Sequence, residues 1–327
     1  MRTFSYVRAD SIEHAINYHS QSDSAFFLAG GTTLLDLVKL DVMRPVQVID
    51  VNHLSLKQIS VLDDGRVRIG ALVTNTALAR HDLIRTRYPV LSQALLSGAT
   101  TQLRNKATTA GNVMQRVRCD YFRDGVSPCN KREPGSGCSA IEGQNRSVHA
   151  VLGTSDQCIA THPSDMCVAM AAIGATVQVQ GPKGLREINF LDFHLLPGAT
   201  PAKEHALLPD EMITHVVLDA PLANGRSGYL KLRDRASYQF ALASSAVIVV
   251  LDGNTVRDVR IAMGGVGTKP WRALAAEQSL KDAPLTPESL AKAAAIALQG
   301  AVPYRHNAYK IALGRQAIIR NFETLTA

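Results

Sequence analysis

Aromatic residues are scarce in this 327-residue chain: one Trp, eight Tyr and eight Phe make up 5% of it. That leaves too few rings for a base-stacking surface. Lys and Arg outnumber Asp and Glu by 35 to 28, for a formal charge of +7, yet no run of four basic residues occurs. The scatter argues against a nucleic-acid stripe and leaves a docking face for an acidic partner subunit, or a plain solvated surface. No stretch nears the ~18 consecutive apolar residues of a membrane span. The opening MRTFSYVRADSIEHA lacks the apolar region of a secretory signal, so the chain is expected either to stay in the cytoplasm or to be exported alongside a partner. Also missing are G-x-G-x-x-G, a Walker A lysine loop and any C-x-x-C pair, which removes the usual dinucleotide, nucleoside-triphosphate and zinc signatures. Ser, His and Asp residues form no triad-like motif, so no nucleophilic catalysis is expected.

What is present is ordinary for a soluble globular protein, with 46% hydrophobic and 19% charged residues. The first 55 residues read as strand, helix, strand. Asp10 or Ser11 is placed to cap a helix carrying Ile12, Ala15 and Ile16, with Glu13 placed for a capping box. The run Phe26-Phe27-Leu28-Ala29 ends abruptly in Gly30-Gly31-Thr32-Thr33, a helix follows from Leu34, and the strand Val46–Asp50 closes the unit. From Ile59 short strands and turns take over, with hairpins at Asp64-Gly65 and Gly181-Pro182-Lys183-Gly184. Helices are expected near 74–81, 89–98 and 164–172, and another strand from Ile213 to Leu218. After a linker-like stretch near 222, strands at Ala246–Leu251 and Val256–Ala262 precede an Ala-rich helical end, where Thr286-Pro287 starts one helix. The class is α+β, in three subdomains.

Two glycine loops share one chemistry. Ala29-Gly30-Gly31-Thr32-Thr33 and Thr108-Thr109-Ala110-Gly111-Asn112 each offer backbone freedom, successive N–H groups and hydroxyls, the makings of a phosphate cradle. Two such loops suit a dinucleotide pyrophosphate better than a single phosphate. Between the second loop and His162-Pro163-Ser164-Asp165 lies a 40-residue window rich in Gly, Pro, Ser and Asn, without hydrophobic period, that carries four of the five cysteines. So long a structureless loop in a compact domain points to function. Cys119, Cys129, Cys138 and Cys158 are separated by nine, eight and nineteen residues. They could form disulfides in an oxidising compartment, bind zinc despite the wide gaps, or hold a [4Fe–4S] cubane, whose four separated corners suit widely spaced ligands. Cys167, inside an apolar helix, reads as a small core residue.

In order, AGGTTLL, QLRNKATTAGNV, HPSD, KLRDRASYQFALAS and AMGGVGTKPWRA resemble the FAD-binding medium subunits of the molybdenum hydroxylases, the xanthine dehydrogenase and aldehyde oxidoreductase family, over essentially the whole chain. The resemblance implies a two-part FAD-binding domain over 1–222 (1–55 and 56–222, with an insertion at about 113–160) and a smaller α+β domain over 223–327. It implies FAD contacts at Phe27, Leu28, Ala29, Gly30, Gly31, Thr32, Thr33 and Leu34, then at Thr108, Gly111 and Asn112. Ala110 stands where the family often has glycine. Asp165 matches the aspartate that bonds the cofactor's ribityl or ribose hydroxyls, Lys231 the lysine near the flavin ring, and Ile213 a backbone contact near the adenine. A subset of the family, including 4-hydroxybenzoyl-CoA reductases and a bacterial periplasmic aldehyde oxidoreductase, carries an inserted loop with a [4Fe–4S] cluster. The cysteine window looks like the aldehyde oxidoreductase type, with Cys119, Cys129, Cys138 and Cys158 as ligands. The function implied is electron transfer in a heterotrimer. A large molybdenum-cofactor subunit oxidises an aldehyde, a small subunit relays electrons through two [2Fe–2S] clusters, and FAD here passes them to an external acceptor, with export to the periplasm beside a partner. The alternatives are a 4-hydroxybenzoyl-CoA reductase-like subunit and a zinc-stabilised binding module.

Overall fold

The computed structural model describes residues 1–144 and 146–327, and its strands form three sheets. In the first, β1 (Ser5–Arg8), β2 (Ala25–Leu28) and β3 (Gln47–Asp50) run parallel in the order β1-β3-β2. The central strand carries Val48 and Ile49 fully buried, as a strand covered on both faces requires. Ser11 caps the helix Ile12–Ser20 by accepting from the amide of His14. With Ser11 as the cap, Glu13 stands at the second helical position, one short of the third that a capping box uses; its carboxylate accepts from Gln180 Nε2 at 3.1 Å, while Asp10 pairs with His14.

The second sheet is antiparallel and drawn from distant parts of the chain. β4 (Ile59–Val61) and β5 (Val67–Gly70) form one hairpin, β6 (Ala175–Gly181) and β7 (Gly184–Asn189) another, and β8 (Met212–Leu218) joins them in the order β4-β5-β8-β6-β7. Gly65 and Gly184 stand at positive φ in the two turns, where glycine avoids the Cβ penalty. Everything between β5 and β6, including both the second glycine loop and the cysteine window, is an excursion from this sheet.

The third sheet, β9 (Arg226–Leu232), β10 (Ala243–Asp252), β11 (Thr255–Gly264) and β12 (Trp271–Arg272), is antiparallel in the order β12-β11-β10-β9. The helices Leu274–Leu280, Pro287–Ala297 and Tyr309–Thr326 share its core, and Thr286 and Ser289 close a reciprocal capping box. All nine residues of the helix Asp165–Ile173 are buried, in a core with residues of both the second and third sheets. Its apolar run has no polar face because no side of it meets water.

The described residues of the cysteine window are ordered where the sequence suggested a structureless loop. The window holds a short helix, Asp120–Arg123, a 3₁₀ turn, Arg146–Val148, and antiparallel backbone β-bridges between Cys129 and Cys138 and between His149 and Ala160. Val117, Cys119, Phe122, Cys129, Ala140, Cys158, Ile159 and Ala160 form a small core with Leu37. Two arginines satisfy carbonyls that irregular backbone would strand: Arg132 Nη1 donates to Tyr121 O and Phe122 O at 2.8 and 2.9 Å, and Arg146 Nη2 donates to Ile141 O at 3.0 Å. The expected insertion, about 113–160, includes Asn145, which lies outside the described residues.

Candidate functional site

The first glycine loop leaves β2 and enters the helix Leu34–Lys39. The amides of Gly30, Gly31, Thr32 and Thr33 find no hydrogen-bond acceptor among the described residues. Gly31 has φ +73°, a conformation other side chains rarely adopt. Gly30 is glycine for a different reason: a Cβ there would stand 1.8 Å from the carbonyl oxygen of Lys106. That absent methyl lets the first loop pack directly against the segment leading into the second.

The second loop is the first turn of a helix, Thr109–Val113. Thr108 caps it by accepting from the amide of Gly111 at 3.2 Å, and the amides of Thr109 and Ala110 donate to Val73 O and Ala71 O. Its N–H groups are therefore largely engaged, unlike those of the first loop. Ala110 sits at an ordinary helical position, so its methyl needs no wider turn.

Between the loops opens a cavity of about 780 Å³, within the range of a cofactor site. Phe27, Ala29, Gly30, Gly31, Thr32, Thr33, Leu34, Thr108, Gly111 and Ile213 all line it. Ile213 lies at a bulge, where β8 slips one residue against β6 and Thr214 is left over. Four expected contacts do not line the cavity: Leu28, Asn112, Asp165 and Lys231. Leu28 O accepts from the amide of Val51. Asn112 Oδ1 accepts from Ser164 Oγ at 2.7 Å, tying the loop to the cap of the helix Asp165–Ile173. Asp165 and Lys231 hold each other: Lys231 Nζ donates to Oδ2 at 2.8 Å and Tyr229 OH to Oδ1 at 2.6 Å, with side-chain exposures of 7% for Asp165 and 3% for Lys231.

Sequence reasoning missed the histidines. Six buried polar side-chain atoms lack a partner among the described residues, and four of them are His19 Nδ1, His162 Nε2, His194 Nδ1 and His205 Nδ1. All four residues line the cavity. Burial holds His162 well below the usual histidine range and His194 down to about 4, so these rings are neutral at physiological pH. Orphaned buried nitrogens are uncommon and call for a partner. His194 and His205 belong to a stretch between the helix Phe190–Phe193 and β8 that also contributes Leu195, Pro197 and residues 201–204 and 207–209 to the cavity wall. Its length without regular structure was the signal available in the sequence.

Cys119, Cys129, Cys138 and Cys158 converge on one small enclosed pocket. Burial pushes the Cys119 thiol up to about 12 and Cys158 up to about 11; neighbouring cysteines add to the rise in both, and Lys131 opposes it at Cys158. All are free thiols, and no three of the four sulfurs lie within 4.8 Å of one another. Cys167 is fully buried in its helix and outside this pocket. Val117, Lys131, Cys158 and Ala160 line both the thiol pocket and the large cavity. The two sites share a wall.

Fold and cavity together define a protein with a cofactor-sized cleft edged by free backbone amides, an arrangement suited to phosphate oxygens. Comparison with known proteins gives that class its family. The model described as the FAD binding domain in molybdopterin dehydrogenase matches residues 2–221, and that described as the CO dehydrogenase flavoprotein C-terminal domain matches residues 228–325. The aldehyde oxidoreductase FAD-binding subunit PaoB of Escherichia coli (strain K12) is 53% identical over 281 residues, covering 86% of each chain. The glyceraldehyde dehydrogenase medium chain of Sulfolobus acidocaldarius is 27% identical, over 85% of this chain and 80% of its own. A carbon monoxide dehydrogenase structure from Hydrogenophaga pseudoflava matches with a TM-score of 0.78 at 24% identity, over 99% of this chain and 97% of that one, which shows the fold. The chain belongs to the FAD-binding medium subunits of the molybdenum hydroxylase family. It is a subunit of an oxidoreductase, and FAD is its cofactor.

Proposed function

We propose that this chain is the FAD and [4Fe–4S] electron-transfer subunit of a heterotrimeric molybdenum-dependent aldehyde oxidoreductase. In this reading a large molybdenum-cofactor subunit oxidises the aldehyde to a carboxylate, a small subunit carries the electrons through two [2Fe–2S] clusters, and this chain delivers them to an external acceptor. The single observation that carries a cluster beside the flavin is the wall shared by the thiol pocket and the large cavity, through Cys158 and Lys131. The similarity to an aldehyde oxidoreductase subunit supports the substrate class.

The residues suit both groups. Bound FAD supplies interchange between paired and single electrons. The free amides of Gly30, Gly31, Thr32 and Thr33 are proposed to take its pyrophosphate, with Thr108 and Gly111 on the facing loop and Phe27, Ala29, Leu34 and Ile213 as the remaining contacts, while Leu28 and Asn112, which do not line the cavity, are proposed to support the two loops. The four orphaned histidine nitrogens provide neutral hydrogen-bonding positions around the cofactor. Asp165 and Lys231 are proposed to meet it as a pair, with the lysine charge already balanced by the carboxylate. A cluster held by Cys119, Cys129, Cys138 and Cys158 supplies one-electron capacity. Thiols separated as these are do not form a ready zinc tetrahedron, whose sulfurs stand ~3.8 Å apart for ~2.3 Å Zn–S bonds. Cys119, Cys129 and Cys158 are buried and Cys138 half-buried, and a metal that takes their protons balances the charge of the thiolates left there.

Metal analysis and a spectrum of the purified full-length protein test this reading. The protein should be yellow-brown, release FAD on denaturation and contain about four irons per chain, the content of one cubane. Iron-free yellow protein would end the cluster assignment, and colourless protein containing zinc would end both. Co-purifying subunits and aldehyde-dependent reduction of the bound flavin test the assembly. Export to the periplasm beside a partner belongs to the same proposal, and cell fractionation tests it.

A further inference from the structure

Among the four cysteines of the pocket, Cys119 has a side-chain hydrogen-bonding neighbour among the described residues. His149 Nε2 lies 3.4 Å from its sulfur. The other ring nitrogen, Nδ1, faces Arg146 Nη1 at 3.3 Å. A guanidinium has donors and no acceptor, so Nδ1 must accept and the ring proton must sit on Nε2, pointing at the sulfur. Arg146 is fixed in that role, since Nε donates to Arg305 O at 2.6 Å, Nη1 to Ala140 O at 2.5 Å and Nη2 to Ile141 O at 3.0 Å. The imidazole is fully buried, stacks on Tyr121 at a centroid distance of 6.4 Å and belongs to a residue bridged to Ala160. Neither partner is free to turn away.

We propose that His149 is a positioning residue for the cluster: Arg146 fixes its tautomer, and its Nε2–H donates to the Cys119 thiolate and raises the cluster's reduction potential. The inference rests on the cluster reading above. An N–H donor to a ligating sulfur draws charge from it and favours the more negative, reduced state. The bond also makes the ligand set unequal. Cys119, away from the large cavity, carries the imidazole donor, whereas Cys158 lines that cavity beside Lys131.

An EPR-monitored redox titration of the full-length protein, with whichever subunits co-purify, tests the proposal on wild type, His149→Phe and His149→Gln. Phe keeps a packed ring and removes the donor, so at fixed potential the ratio of reduced to oxidised cluster should fall about tenfold, equivalent to ~59 mV for a one-electron couple. Gln, which retains an N–H, should recover part of the loss, with iron and flavin per chain unchanged in both variants. A His149→Phe protein with full iron and the wild-type potential overturns the proposal. Pulsed EPR of wild-type protein labelled with ¹⁵N-histidine decides the matter even if the variants lose iron. Coupling to a histidine nitrogen and an exchangeable proton supports the bond, and neither coupling refutes it. A wild-type protein without iron defeats the cluster reading first, and metal analysis shows that before any potential is measured.

Discussion

The large cavity and the thiol pocket share a wall yet are finished in opposite ways. In the cavity, the protein leaves polar groups without partners: four histidine nitrogens and the amides of Gly30 to Thr33. In the pocket, Arg132 and Arg146 satisfy the surrounding carbonyls and the thiols converge on a small enclosed space. Burial holds His194 at about 4 and lifts Cys119 to about 12, so the imidazole and the thiol stay neutral, while Arg116 and Lys131 are paired with Glu204 in the cavity wall. Neutral imidazoles can still donate and accept, so the cavity suits a ligand that arrives complete with its own oxygens. Neutral thiols are poor ligands, so the pocket suits a metal group that strips their protons and is enclosed as the chain folds. One site is prepared for association and the other for assembly.

Removing a cysteine away from the shared wall tests whether these are two sites or one, and it carries the largest expected effect. Cys129→Ser should reduce iron from about four per chain to less than about one while FAD stays bound, because Cys129 lines only the thiol pocket. Cys158→Ser should lower both iron and FAD, because that side chain lines both spaces. Cys167→Ala should leave iron unchanged. Equal loss of FAD from the Cys129 and Cys158 variants would break the contrast and make the two regions one folding unit.

A smaller effect is expected behind the cavity. Asp165→Asn leaves the Lys231 ammonium buried without its carboxylate, which should lower stability by about 3–5 kcal/mol. Adding Lys231→Met should restore much of it, and denaturant unfolding of the single and double variants gives the coupling directly. Next in size is Gly30→Ala. Its methyl would force the Lys106 carbonyl away, with an overpacking cost of about 1–3 kcal/mol. FAD per chain should fall while iron per chain holds, since the two glycine loops part but the thiol pocket does not. Bound FAD at the wild-type level in a stably folded Gly30→Ala protein would show that the contact between the loops does not matter for the cavity.

The contrast also explains what could be read in the sequence. Strand periodicity and the glycine turns located β2, the β4–β5 and β6–β7 hairpins and the buried helix Asp165–Ile173, because each is a local pattern of apolar residues and backbone freedom. The glycine loops were legible as one ligand site, and most of their residues do line one cavity. The chemistry of Gly30 was not legible, because its neighbour is a backbone carbonyl 76 residues away in sequence. Asp165, Tyr229 and Lys231 meet only through tertiary packing, so the sequence offered two separate ligand contacts where the structure has an ion pair. The cysteine window looked structureless because arginine-to-carbonyl bonds and thiol packing leave no hydrophobic period. His149 was overlooked for the same reason: a lone histidine gains meaning from Arg146 and Cys119 together.

A pH dependence of stability tests how the window is fastened to the third sheet. Lys310, on the helix Tyr309–Thr326, is fully buried and donates to Ser147 O at 2.7 Å and Gly265 O at 2.6 Å. Burial pushes its ammonium from 10.5 down to about 7. Below pH 7 the folded and unfolded chains both carry this proton, and the full cost of burying the charge is present. Between about pH 7 and 10.5 the unfolded chain holds a proton that the folded chain has released, so stability rises with pH by at most ~1.4 kcal/mol per pH unit. Lys310→Met abolishes that contribution without touching the thiol pocket or the cavity. The stability of wild type relative to the variant, measured by urea unfolding at pH 6, 8 and 9, should therefore be lowest at pH 6 and increase at each step. A difference that stays flat from pH 6 to 9 would mean that the two carbonyls keep Lys310 charged in the folded chain.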